Sequence, residues 1–140
     1  MTEQEVKIIL NRYMTIRRKK LSLQRRIAEK SKDITYLRGM ITDRVPVSRS
    51  GVSNPVEAAV EAVDTMIHLY LRMVKECENA EKEALDLIGL LDEDGPKHAM
   101  FLRYIEGLSL EETAEKMYVS DRTVWNWCKR ALCQICGKAL

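Results

Sequence analysis

Apolar residues recur along the first forty positions with heptad spacing. Val6, Tyr13, Lys20, Ile27, Ile34 and Ile41 share one heptad position, and Ile9, Ile16, Leu23, Lys30 and Leu37 share the other. Nine of these eleven are apolar, which predicts one long helix over 2–41 with a continuous seam. Lys20 and Lys30 interrupt the seam, either fixing its register or running their stems outward. A second run covers 56–91. There Val56, Val63, Tyr70, Cys77, Ala84 and Leu91 alternate with Ala59, Met66, Met73, Ala80 and Leu87. Val60, Ile67, Val74 and Ile88 widen this stripe, and Leu69, Leu71 and Leu85 lie further round. So broad a face covers more than one neighbour, either the C-terminal part or a second copy of the chain. Between the runs, TDRVPVSRSGVSNP holds two prolines, a glycine and three serines, and predicts a surface loop over 42–55. Pro55 then leads into the second helix.

After residue 91 the pattern shortens. Asp92 to Gly95 predict a turn, and Pro96 suits the first turn of a helix over about 97–106, with Met100, Phe101, Tyr104 and Ile105 facing a core. Gly107 ends that helix. Ser109 and Glu112 have the spacing of a capping box, so a short helix follows over about Leu110–Met117. Tyr118 and Val119 make a turn. Ser120 caps a last helix that starts at Asp121, continues to about Ile135 and is ended by Gly137.

These last two segments fit a helix-turn-helix. Ala114 is small where crossing helices must approach, and Met117, Val119, Val124 and Trp127 are apolar at spacings that share a core. Arg122, Trp125, Asn126 and Lys129 fall on the opposite side of the last helix, at i, i+3, i+4 and i+7. Arg pairs with guanine, Asn with adenine and Lys with phosphate, so that edge suits a major groove. Trp125 either touches a thymine methyl or is covered in a dimer. Ser120 and Thr123 either donate to phosphate or serve only as cap and first-turn residue. Arg130 either reaches the DNA backbone or forms an ion pair.

YIEGLSLEETAEKM followed by VSDRTVWNWCKRAL resembles the DNA-reading module of sigma factors, region four, over roughly Asp92 to Ala139. With the long helical stretch before it, the chain resembles small phage transcriptional regulators of the ArpU/RinA kind, although the N-terminal likeness is one of layout. The chain departs from the family at two positions. Tyr118 stands where the turn usually carries Gly, at a cost of about 1 kcal/mol if left-handed. Thr113 replaces a larger aliphatic residue. Both departures predict a strained or remodelled turn. The resemblance implies double-stranded DNA as partner, with RNA polymerase as a further one.

Net charge is +2, which indicates no partner by itself. Its distribution is more informative. Residues 1–40 carry a balance of +7 and residues 56–96 one of −8. Opposite charge, similar length and a hinge between them favour an antiparallel helical hairpin. The chain thus reads as all-α, with a coiled-coil-like hairpin over 1–91 for oligomerisation or partner binding and a DNA-binding domain over 92–140. A homodimer is expected, because half-sites commonly match two-fold proteins. The run Arg17, Arg18, Lys19, Lys20, Arg25, Arg26 reads as a surface for the acidic second helix in preference to a phosphate patch.

No run of 18 apolar residues spans a membrane, and the polar, acidic start is not a signal peptide. Four cysteines without secretory context point to reduced thiols in a cytoplasm, by the phage resemblance that of a bacterial host. Cys133 and Cys136 form a CxxC with Cys128 nearby, but no second pair follows and His68 and His98 lie far off in sequence. Half-exposed or buried thiols are expected, with no metal or other cofactor. Glu111, Glu112 and Glu115 read as a solvated face, and no phosphate loop or nucleophile triad indicates an enzyme. Two alternatives remain open: a packaging protein like a terminase small subunit, and a protein-interaction module whose helix-turn-helix has lost DNA affinity.

Overall fold

The computed structural model describes residues 1–42 and 55–139. The predicted loop over 42–55 lies almost wholly outside the described residues. Five helices form: α1 (Glu3–Thr42), α2 (Pro55–Ile88), α3 (Asp94–Tyr104), α4 (Leu110–Met117) and α5 (Asp121–Lys138). No strand occurs among the described residues. The chain is all-α, with two long helices packed together and followed by three short ones. Thr2 and Glu5 close a capping box at the start of α1. The Thr2 amide donates to the Glu5 carboxylate at 3.0 Å and the Glu5 amide to the Thr2 hydroxyl at 3.3 Å.

By compactness the chain divides into two units, residues 1–17 with 76–140 and residues 18–75. In the first, the start of α1 and the end of α2 join α3, α4 and α5 around one core. Val6, Leu10 and Tyr13 pack there with Cys77, Ala80, Ala84, Leu87 and Ile88. The first residues of one long helix thus meet the last of the other, as an antiparallel pair requires, and Arg12 faces Glu83 at 3.8 Å. The heptad pattern places Ile9 in this seam, yet Ile9 is half-buried and Leu10 is fully buried. Residues of the short helices share this core with α1, so the buried stripe is wider than a two-helix seam.

In the second unit Leu23, Ile34 and Val63 are buried at predicted seam positions, with Ile27, Leu37, Met66, Tyr70 and Met73 half-buried. Lys20 is half-buried and Lys30 exposed. The basic run does not pair with α2 as expected. Arg17, in the first unit, donates to the Ile105 carbonyl at 3.0 Å. Arg18, Lys19, Arg25 and Arg26 are exposed and form no ion pair among the described residues. They lie off the buried seam, where solvent screens any long-range attraction.

Helix ends differ from the pattern in three places, each for a tertiary reason. The second helix stops at Ile88, but Leu91 remains buried in the core beyond it. The predicted turn at Asp92–Gly95 is shorter, since α3 already begins at Asp94. A Cβ on Gly95 would come within 3.0 Å of the Trp127 ring, so this turn of α3 lies directly against α5. Gly137 does not end α5, which runs on to Lys138. Ile135 is fully buried, and Lys138 donates to the Leu90 carbonyl at 3.0 Å, which holds the last turn in place.

Candidate nucleic-acid interface

α4 and α5 form the helix-turn-helix, with α5 packed on both α3 and α4. Gly107 sits between α3 and α4 with a φ of 77°, which favours glycine. An added Cβ there would also come within 2.4 Å of Met14 Cε. The Ser109 hydroxyl accepts from the Glu112 amide at 3.1 Å and caps α4. Among the described residues the reciprocal bond from the Glu112 carboxylate is not formed, so the cap rests on serine alone. Thr113 is fully buried, yet its hydroxyl donates to the Ser109 carbonyl at 2.7 Å. A polar group in the core therefore has its partner, and no desolvation penalty is left uncompensated.

Tyr118 adopts the left-handed conformation, at φ 57° and ψ 42°. The Val119 amide donates to the Ala114 carbonyl at 3.1 Å and that of Tyr118 to the Glu115 carbonyl at 3.3 Å. This is a Schellman ending, so the turn keeps its ordinary geometry with tyrosine in the place of glycine. The side chain of Tyr118 is 96% exposed and meets no obstacle.

Ser120 caps α5, accepting from the Thr123 amide at 3.2 Å, and the two hydroxyls lie 2.8 Å apart. Val124 is fully buried and Trp127 half-buried, as the spacing predicts. Arg122, Trp125, Asn126 and Lys129 are all exposed on the other side. Trp125 keeps 49% of its surface, and the Lys129 ammonium stands 4.9 Å from its ring centroid. That contact holds both side chains along the outer edge. Arg122 and Asn126 make no side-chain hydrogen bond or ion pair among the described residues. Arg130 behaves otherwise, pairing with Glu93 at 3.1 Å. Together with Gln134 donating to Asp92 at 3.1 Å, it ties α5 to the start of α3. Arg130 is therefore already engaged by the fold.

The cysteines are free thiols. Cys77 and Cys128 are buried, Cys136 is half-buried and Cys133 exposed. Burial pushes the Cys128 thiol above its ordinary value of 9.0, with Arg103 acting in the opposite direction.

Beside α5 the fold also opens a cleft of about 310 Å³ that the sequence does not foreshadow, where Lys7 and Arg103 join Trp125 and Lys129. Lys7 is more than a hundred residues away in the chain, and no local pattern links it to α5.

No curated protein and no solved structure matches the chain. Residues 93–135, from the cap of α3 to the last core residue of α5, match the family model described as sigma-70, region 4, and this part of the chain is a helix-turn-helix of that type.

Proposed function

We propose that the protein is a sequence-specific DNA-binding transcription regulator that reads the major groove with α5. The observation that carries this reading is the outer edge of α5. Arg122, Trp125, Asn126 and Lys129 project from one face, free of the core, in a module of the sigma region-four type. Arg122 and Asn126 supply base-reading donors and acceptors, Lys129 supplies phosphate contact, and Trp125 adds an apolar surface for a thymine methyl. Ser120 caps the helix and, with Thr123, presents hydroxyls at its positive end, where a phosphate is favoured. Arg130 gives at most a peripheral backbone contact, because Glu93 competes for it. The phage assignment and contact with RNA polymerase rest on the resemblance of the whole chain to ArpU/RinA-like regulators.

A homodimer fits the outer face of α2 between Glu57 and Lys75. Ile67 and Leu71 are exposed beside half-buried Val60 and Val74, making one apolar stripe. Glu57, Glu61 and Asp64 lie toward its start, and Arg72 and Lys75 toward its end. An antiparallel second copy brings the acidic half of one stripe against the basic half of the other, whereas a parallel copy brings like charges together. Sedimentation of Ile67→Glu tests this pairing, with a monomer expected.

Titration against duplex DNA at several salt concentrations tests the main reading. A negative slope of log affinity on log salt is expected, because bound phosphates release counterions. A flat dependence overturns DNA binding and leaves an interaction module. Selection from a random duplex pool then yields a two-fold site for a dimeric regulator. A ring-forming oligomer on packaging-site DNA points instead to a terminase-like role.

A further inference from the structure

The cleft beside α5 places three cations around one opening. Lys7 comes from the second turn of α1, Arg103 from the end of α3 and Lys129 from the outer edge of α5. Glu3 is its one carboxylate, paired with Lys7 at 3.3 Å, and both side chains of that pair are about half exposed. Such a pair is worth about 0–1 kcal/mol and yields readily to a stronger anion. The lining thus keeps an excess of two positive charges.

Arg103 supplies the second observation. Its Nε is buried and has no hydrogen-bond partner among the described residues. A half-buried guanidinium with an unpartnered nitrogen is costly, and a nearby anion offsets that cost through its charge and not through a bond to Nε. Tyr104 lies within reach of the same field. Burial raises its phenol above the ordinary value, while Arg103 and Lys7 act to lower it. Trp125 closes the side toward the reading edge, with Lys129 over its ring.

We propose that this cleft is a phosphate subsite, and that it receives a backbone phosphate of the duplex strand running past Trp125 and Lys129. Arg103 and Lys7 bind the phosphate oxygens together with Lys129. The N-terminal turns of α1 thereby become part of the DNA interface, although they lie outside the region-four match. This assignment rests on the DNA-binding reading. The same chemistry would accept free inorganic phosphate or a nucleoside monophosphate, so the test must separate these sources.

Duplex affinity is measured across a salt series for the full chain and for Lys7→Gln, Arg103→Gln and Lys32→Gln, the last an exposed lysine of α1 that does not line the cleft. Lys7→Gln and Arg103→Gln are each expected to make the salt slope shallower, by at most about 0.9 because both act on one phosphate, equally on every duplex, with Lys32→Gln unchanged. Thermal unfolding checks both Arg103→Gln and Lys7→Gln, since each alters a half-buried side chain. Calorimetric titration with inorganic phosphate and with deoxyadenosine monophosphate forms the second arm. Binding there that Arg103→Gln abolishes, with unchanged duplex slopes, supports the subsite and assigns it to a free anion. Unchanged slopes with no phosphate binding overturn the proposal, while a sloping wild type leaves the DNA reading standing. A flat wild type with Arg103-dependent phosphate binding keeps the subsite and removes the DNA reading.

Discussion

The two edges of α5 are interleaved along the sequence, yet their surroundings have little in common. Val124, Cys128, Ala131, Leu132 and Ile135 are buried against α3, α4 and the long helices. Arg122, Trp125, Asn126 and Lys129 stand in solvent. One 18-residue helix therefore serves as a core element along one side and as a free surface along the other. The inner edge gives stability and fixes orientation, and the outer edge can change without unfolding the module. The physical basis is the period of 3.6, which separates neighbours in sequence by about 100° around the axis.

Ile135→Ala is the strongest test of that division. A fully buried isoleucine removed from a packed core is expected to cost about 2–5 kcal/mol in denaturant unfolding. The protein that remains folded should keep its base preference, and altered preference would show that the edges are coupled. On the outer edge, Asn126→Ala should remove about 1–3 kcal/mol of discrimination at one base pair and leave the unfolding midpoint unchanged. Its partner test, Lys129→Ala, should weaken all duplexes alike. Equal losses on every sequence for Asn126→Ala would remove that residue from base reading.

A smaller effect tests the turn that sets the angle of α5. Tyr118→Gly relieves a left-handed non-glycine residue whose side chain touches nothing, and should stabilise by about 1 kcal/mol. Any loss of stability would reveal a contact for the tyrosine ring. The smallest effect is titration of Cys128 on the inner edge. Its thiol is held above 9.0 by burial, so the folded chain keeps this proton longer than the unfolded chain does. The resulting stability is full below about pH 9 and is lost as pH rises through the folded value. Unfolding free energy measured between pH 8 and 11 should fall less steeply in Cys128→Ala. An equally steep fall would assign the dependence to buried Tyr13 and half-buried Tyr104, whose phenols burial also raises.

Much of the helix-turn-helix was legible in the residues. The bounds of α4 and the start of α5 follow from Ser109 and Ser120, because a serine cap acts on amides only three positions away. The exposed face of α5 follows from spacing alone. The capping box at Thr2 and Glu5 was equally local, and its T-x-x-E spacing was available to be read. The seams of the long helices were legible for the same reason, since burial repeats with the period of the helix.

Other features depended on which surfaces meet across the chain. Leu10 is buried because α3, α4 and α5 gather around the first turns of α1, a crowding that no heptad records. Gly137 stays helical because Ile135 and Lys138 are held from outside α5. Gly107 was recognisable as a helix ender, but the approach of Met14 that bars a side chain there was not. The same holds for Lys7 and Arg103. Caps and periodicity act over a few residues and can be read from order, whereas a cleft made by three helices exists only once their packing has brought distant charges together.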